Sequence, residues 1–587
     1  MNSPQASFDC DLLVIGSGAG GLSTAVTAAQ LGLKVMLVEK TAQFGGTTAW
    51  SGGWMWIPRN PLAVRAGLVE PLEKPWSYLQ HELGTDFDPV KARTFLENGP
   101  RMVSFFEAHT ALRFIDGHAI PDFHGHSPDA ATGGRSVCAA PFDGRRLGAL
   151  FSDLKPPLPE TTLWGMGIAS GLELRHFFNS RQSLRSFAYV TRRVLRHVWD
   201  LLVHGRGTRL VNGNALVAAL LKSAGDLGVD LRLHTSAVRL LRDETSARVT
   251  GAVLQSLEAG QGLQKRYEIQ ARCGVVLATG GFPHDPERLQ ALLPHARAQA
   301  QAKPQHWSAG ARSNTGDGLR LGESQGGVVN TLGQQAAALA PVSLVPRTDG
   351  TQAHFPHLIE RAKPGLIAVT AQGQRFTNEA NSYHDFMQDL LKVSEASSPS
   401  RPEAWLVCDH AFLRHYGLGA VKPAPLPLRP WLKNGYLHRG QNLMALAQAC
   451  GIDAQALADT VARYNTQALQ GHDPDFGKGE TAYNRIQGDA ARAQAQGWPN
   501  PCMGPLRQGP FYAVKVVMGS LGTFAGLNTN DQAQVLDAQG QAIPGLYATG
   551  NDMNSMMAGR YPSGGITLGP AMTFGFIAAH HAAHSLR

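Results

Sequence analysis

Cysteine is scarce in this chain: Cys10, Cys138, Cys273, Cys408, Cys450 and Cys502 are the only six in 587 residues, and none forms a CxxC pair. That density excludes a disulfide scaffold and leads us to expect reduced thiols in a cytoplasmic protein. No apolar run approaches the ~20 residues that a membrane-spanning helix needs. Met1 to Asp9 lack a basic segment and an apolar stretch, so no secretory leader is expected. The 22 histidines form neither HExxH nor a Cys/His cluster at ligand spacing, which argues against a metal site. Lys and Arg exceed Asp and Glu by 53 to 45, but the surplus is scattered, so no nucleic-acid partner is expected.

Glycine is abundant at 65 residues. Asp11-Leu-Leu-Val-Ile-Gly16-Ser17-Gly18-Ala19-Gly20-Gly21-Leu, continuing to Val35-Met-Leu-Val-Glu39, reads as strand, glycine turn, helix, strand and acid. Gly16 permits the turn, Gly18 lets the backbone approach a pyrophosphate, and Gly21 lets helix and strand pack closely. The phosphates then sit on a helix N-terminus, and Glu39 is placed to accept from a ribose hydroxyl pair. Directly after it come Lys40 and the small residues Gly46, Thr47, Thr48, Ser51, Gly52 and Gly53, which suit close approach to the flavin end of FAD. Two distant strands end alike, at Ala278-Thr279-Gly280 and at Gly545 to Gly550-Asn551. Three such ends point to one FAD gathered by remote segments.

The pattern predicts an α/β fold: a discontinuous, glutathione-reductase-type Rossmann-like FAD domain with an α+β catalytic domain inserted. The expected boundaries are 1–320 for the first part, with a helical excursion over about 61–205, then 321–508 for the insertion and 509–587 for the return. A helix is predicted from Thr208, strands over Val229–Val238 and from Val249, and a re-entrant FAD-domain strand from Pro510. Leu184 to Val203 has apolar residues at helical spacing with four arginines among them. It either packs its apolar side on its own domain with arginines in water, or lies on an acidic membrane surface.

Gly559 to Ala579 reads as a turn feeding an apolar helix. The helix-start amides of Gly564, Gly565 and Ile566 can polarise a carbonyl oxygen, and Tyr561 can add a phenol hydrogen bond. The bland alternative is that these amides serve only the flavin. Tyr383, if its pKa is lowered, can take a proton beside that carbonyl while a hydride leaves the next carbon for the flavin. Trp54, Trp56, Phe123, Phe386 and Met556 are candidates to line an apolar slot.

With these motifs the chain resembles the FAD-dependent 3-ketosteroid (3-oxosteroid) dehydrogenases of the fumarate reductase/succinate dehydrogenase flavoprotein superfamily. The resemblance runs from the N-terminal fingerprint through Leu210-Val-Asn-Gly-Asn-Ala-Leu, Asn314-Thr-Gly-Asp317-Gly, Arg375-Phe-Thr-Asn-Glu379 and Gly522-Thr-Phe-Ala-Gly to Tyr561–Phe576. It implies α,β-desaturation of a cyclic ketone, with Tyr561 and the Gly565 amide on the oxygen, Tyr383 as base, and an external electron acceptor. It adds Val238, Asp317, Ile566 and Leu568 to the expected FAD contacts. Where the family carries a supporting tyrosine, this chain has Phe123-His124, which makes His124 the alternative proton route. Ser563 resembles the Tyr-x-Ser of the related 4-(5α)-dehydrogenases, leaving that regiochemistry open, as is a smaller ketone such as cyclohexanone. The rival class is a fumarate-type carboxylate reductase, with Arg560 pairing a carboxylate. A non-catalytic flavin-binding role is a further alternative.

Overall fold

Leu12, Leu13, Val14 and Ile15 are buried in succession because their strand runs through the middle of a parallel sheet, covered on both faces. The computed structural model describes residues 8–257, 264–296, 305–331, 335–395 and 402–585. Residues 1–7, most of the stretch Met1–Asp9 read for a leader, lie outside them. Along the chain, β1 (Cys10–Ile15), α1 (Ala19–Gln30) and β2 (Val35–Val38) are followed by the excursion that holds α2 (Leu172–Phe178) and α3 (Leu184–His204). The helix expected from Thr208 spans Asn212–Asp226. After it come β3 (Asp230–Arg232), the strands Thr235–Arg242 and Val249–Leu257, and β4 (Gln264–Leu277). Further on lie α4 (Tyr383–Glu395), α5 (Ala482–Gln487), β5 (Phe511–Thr523), β6 (Ala542–Ala548) and α6 (Leu568–His584).

The first sheet runs β6, β4, β1, β2, β3 in parallel, with an antiparallel edge strand Gln534–Leu536 outside β6. Ile15 lies opposite Leu277, and Leu277 opposite Ala548. The three glycine-marked strand ends therefore sit side by side at one edge of the sheet, where ligands of open α/β sheets bind. Gly16 has φ +109°, and a Cβ there would stand 2.2 Å from Ala278 O. A Cβ on Gly21 would stand 2.0 Å from Gly16 O, so this glycine serves helix packing as expected.

The second sheet is built on β5, flanked by antiparallel Ala337–Pro346 and Glu403–Asp409, with Gln352–Pro356 and Leu366–Val369 outside them. The strand expected to rejoin the FAD sheet at Pro510 is thus the centre of the other sheet. Its burial on both faces is near-continuous, which periodicity cannot assign to one sheet or the other.

α3 also departs from the first of the two readings offered for it. Its buried residues are Ser186, Arg193, His197 and Asp200, whereas Leu184, Phe187, Leu195 and Leu202 face solvent. The helix packs on its own domain through its polar face.

Candidate active site

One cavity of about 1010 Å³ runs from the edge of the parallel sheet to the second sheet. Its first half is walled by Gly16, Ser17, Gly18, Ala19, Gly20, Glu39, Lys40, Gly46, Thr47, Thr48, Ser51, Gly52 and Gly53. Ala278, Thr279, Gly280, Asp317, Gly550, Asn551 and Leu568 complete it. These are expected FAD contacts from separate parts of the chain, brought to one surface by the adjacent strand ends. Glu39 is held by Ser17 Oγ at 2.6 Å and by the Thr41 amide and hydroxyl at 3.0 Å each. Lys40 pairs with Asp317 across the cavity wall. Asp552 is fully buried and accepts from Thr279 Oγ1 at 3.0 Å and the Gly281 amide at 2.9 Å, locking the ends of β4 and β6 together. Burial pushes its carboxyl up to about 6, against those hydrogen bonds. The glycine-lined cradle and acid suit a pyrophosphate and ribose, so these residues fit FAD.

Three expected contacts miss the cavity: Gly21, which packs against Gly16 instead, Val238 and Ile566. Val238 points outward and is 40% exposed; in the same strand Thr235, Ser236 and Ala237 line the wall instead. Ile566 is buried behind the turn and borders only a small side pocket.

The far half is a cluster of phenols. Tyr561, Tyr383 and Phe123 all line the cavity. Phe123 stacks on Tyr561 at 5.9 Å between centroids and 11° between planes, and meets Tyr383 edge-on at 5.8 Å. The Tyr383 and Tyr561 rings lie 4.9 Å apart at 76°. The turn carrying Tyr561 is fixed at Pro562 O, which accepts from Tyr78 Oη at 2.6 Å and from the Phe123 amide at 2.9 Å. A Cβ on Gly565, at φ +97°, would lie 2.7 Å from Trp54 and Trp56 backbone atoms. Only glycine brings this amide so close to that strand. Among the described residues the amides of Gly564 and Gly565 have no intramolecular acceptor, while both residues line the cavity.

Tyr383 opens α4 and is placed by a buried ionic knot just before it. Arg375 donates to Glu379 at 2.8 Å and to Asp473 at 2.9 Å. Arg361 donates to Glu379 O, and Asn484 to Ala380 O, tying the loop down on both sides. Burial alone would raise the Glu379 carboxyl; Arg375 and Lys478 overrule it and hold it at about 2. Arg-Phe-Thr-Asn-Glu is therefore the anchor of the site, with the phenol at its end.

Several expectations are corrected here. Burial, reinforced by Tyr561 and Tyr483, pushes Tyr383 well above its ordinary value, so its pKa is not lowered; Arg361 opposes this more weakly. His124 is outside the cavity, clamped between Glu82 and Asp385 (Nε2 to Oδ2, 2.8 Å). Burial would lower His124, but those carboxylates hold it up at about 10, so near neutrality it is already protonated and cannot accept another proton. Ser563 is buried beside Asp122 behind the turn and touches no part of the cavity. Arg560 is likewise outside it. Trp54 and Phe123 line the slot, but Trp56 is buried with Nε1 on Asp122 at 2.8 Å, Phe386 belongs to the second-sheet core, and Met556 borders the side pocket.

One residue escaped the sequence reading. Tyr483, at the start of α5, is buried against Phe123 with centroids 4.3 Å apart and lines the same cavity. Its neighbour Asn484 belongs to the knot that places Tyr383, so one network positions both phenols. Nothing local in Thr-Ala-Tyr-Asn-Arg marks it, since it reaches the site by long-range packing. The cavity continues past the phenols along Leu174, Phe178, Leu358 and Ile486, with Lys363 on the wall.

This architecture is that of an FAD-dependent oxidoreductase, and residues 11–568 match the FAD binding domain family. The chain is 36% identical over 574 residues to a 4-oxocyclohex-2-ene-1-carboxylate 5-dehydrogenase of Sinomonas cyclohexanicum, covering 98% of this chain and 94% of that one. It is 34% identical over 576 residues to a 3-oxosteroid 1-dehydrogenase of Mycolicibacterium smegmatis, covering 97% and 96%. The crystal structure of a 3-ketosteroid Δ1-dehydrogenase from Sterolibacterium denitrificans superposes with a TM-score of 0.88 at 33% identity, over 98% of this chain and 99% of that one. The chain belongs to the FAD-dependent 3-ketosteroid dehydrogenase family and is a dehydrogenase acting on CH–CH groups. Among the described residues no cluster of His, Cys, Asp or Glu is poised to hold a metal ion.

Proposed function

We propose that this enzyme desaturates the bond α,β to the carbonyl of an apolar cyclic ketone of steroid size, introducing the double bond at the 1(2) position of a 3-oxosteroid. The observation that carries this is the meeting of Tyr561, Tyr383 and the unpaired Gly564 and Gly565 amides on one wall of the cavity, beside the FAD-binding half. Tyr561 Oη and the Gly565 amide hold the ketone oxygen, where negative charge grows as the enol forms. Tyr383 accepts the proton from the α carbon. Bound FAD supplies the two-electron acceptor for the hydrogen leaving the β carbon, and an external acceptor then removes the electrons. Tyr483 and Phe123 close the wall around the reacting carbons and exclude water.

The apolar extension along Leu174, Phe178, Leu358 and Ile486 supports a multi-ring substrate. The two relatives' named reactions, on an oxosteroid and on an oxocyclohexene, share the same α,β relation to a carbonyl. Ser563, whose Tyr-x-Ser spacing pointed to 4-(5α)-dehydrogenation, does not line the cavity, which favours the 1(2) reading.

A second reading, a monocyclic ketone bearing a carboxylate, rests on Lys363. Its Nζ donates to Gln487 O at 2.6 Å and Gly488 O at 2.8 Å, and burial lowers it to about 8. Comparing kcat/KM for androst-4-ene-3,17-dione and 4-oxocyclohexanecarboxylate with a dye acceptor separates the two. The steroid is expected to win by about tenfold or more, since each buried methylene is worth ~0.8 kcal/mol. A preference for the monocycle that Lys363→Gln abolishes would assign the smaller substrate.

A further inference from the structure

The outer face of α3 is an apolar surface that no described residue covers. Surface helices normally turn their apolar stripe inward and their charges to water. α3 does the reverse. Arg193 Nε donates to Glu173 at 2.6 Å, Asp200 accepts from the Thr208 hydroxyl at 2.7 Å, and His197 bonds Trp164 O at 3.0 Å. With its polar side thus fastened to the protein, the helix presents Leu184, Phe187, Leu195, Val198, Trp199 and Leu202 to solvent; Leu184 is 88% exposed and Leu202 78%. At 3.6 residues per turn Leu184, Leu195 and Leu202 fall on nearly one line. Exposed apolar surface of this extent is rare on a monomer unless something binds it.

The charges choose the occupant. Arg185, Arg192 and Arg196 fall along one flank of the stripe, all exposed, and of these Arg196 already pairs with Asp200 at 3.1 Å. The only acid on the helix, Asp200, is buried. A second copy brought face to face would find no exposed carboxylate on α3 to pair with those arginines. An anionic lipid surface supplies negative charge beside an apolar layer, which is the arrangement this helix matches. No helix of the described residues is long and apolar enough to cross a membrane, so contact lies in the interfacial plane. α2 and α3 also wall the cavity, through Leu174, Phe178 and Tyr189.

We propose that α3 seats the enzyme on an anionic bilayer, with its apolar stripe in the interface, its arginine flank on the headgroups and its α2–α3 hairpin forming the lipid-side wall of the active-site cavity. The inference does not depend on which ketone is oxidised. Sedimentation of the FAD-loaded protein with vesicles tests it, using phosphatidylcholine alone and an equal mixture with phosphatidylglycerol. The wild type is expected to pellet with the anionic vesicles and to be released by salt. Arg185→Gln with Arg192→Gln should weaken binding about fivefold per arginine, from the usual worth of one basic side chain at such a surface. The triple variant Leu195→Ser, Trp199→Ser, Leu202→Ser should lose vesicle binding while keeping its FAD and its melting temperature. Absence of vesicle binding by the wild type, or binding by the triple variant equal to wild type, overturns the proposal. So does a wild-type dimer, indifferent to vesicles, that the triple variant dissociates; that result makes the face a self-interface.

Discussion

Replacing Tyr561 by Phe removes a single hydroxyl from the site and leaves its shape intact. The ring keeps its stacking on Phe123 at 5.9 Å and its edge contact with Tyr383 at 4.9 Å. The fold therefore loses only the hydrogen bonds of one buried hydroxyl, about 1 kcal/mol. Catalysis loses a donor aimed at the oxygen where charge develops, which costs roughly 10²–10³ in rate when one such donor is deleted. The Gly564 and Gly565 amides remain, so activity falls without vanishing. A second consequence follows from the pairing of the two phenols. Burial pushes Tyr561 up to about 12, opposed by hydrogen bonds with Tyr383 and Thr567. Burial likewise raises Tyr383, and the Tyr561 phenol raises it further by charge and hydrogen bond. A base whose folded pKa lies above 10 is mostly protonated at neutrality, so the wild-type rate of flavin reduction should climb with pH into the alkaline range. In Tyr561→Phe that climb should begin at lower pH, beneath a lower ceiling. Stopped-flow bleaching of the bound flavin under anaerobic conditions, from neutral to strongly alkaline pH, reads both effects. A variant matching wild type in rate and in pH dependence refutes the assignment of Tyr561 to the carbonyl and of Tyr383 as its partner.

Three further outcomes are expected. Tyr383→Phe should lower the rate of flavin bleaching by about 100-fold or more, the usual worth of a positioned base, with FAD content unchanged. In Gly565→Ala the new Cβ, 2.7 Å from Trp54 and Trp56 backbone, must push the turn away, and a displacement approaching 1 Å costs about 10² in turnover; product formation by mass spectrometry checks it. His124→Gln should destabilise the fold by about 2 kcal/mol by leaving Glu82 and Asp385 unmatched, seen as a lower melting temperature. Because the folded pKa of His124 is raised from 6.5 to about 10, its stabilisation is complete below about 6.5 and is lost as pH rises through 10, so wild type and variant should converge in stability at high pH.

The FAD half was legible because its signals are local: apolar strand, glycine, acid. Each glycine marks a backbone approach that the fold then displays, as at Gly16 against Ala278. Val238 was expected among the contacts, but its side chain is exposed while Thr235, Ser236 and Ala237 just before it line the wall, an ordering that apolar spacing alone does not reveal. The half that holds the phenols was legible only in part. Tyr383 and Tyr561 stand beside recognisable motifs, but the raised pKa of Tyr383 comes from burial by remote segments. Tyr483 arrives from a helix with no local signature, and His124 was disqualified by Glu82 and Asp385, far from it in sequence. α3 showed its spacing in the sequence; which side faced inward was decided by Glu173 and Thr208, partners no periodicity reveals.

The central claim is that a ketone, held at Tyr561 and Gly565, gives up two hydrogens to the bound flavin. Anaerobic titration of the yellow, FAD-loaded protein tests it most directly, with androst-4-ene-3,17-dione, 4-oxocyclohexanecarboxylate and cyclohexanone in parallel, and with fumarate after dithionite reduction. The account predicts that the steroid bleaches the flavin and is recovered lighter by two hydrogens. If no ketone bleaches it and fumarate alone reoxidises the reduced flavin, the account is wrong and the enzyme is a carboxylate reductase.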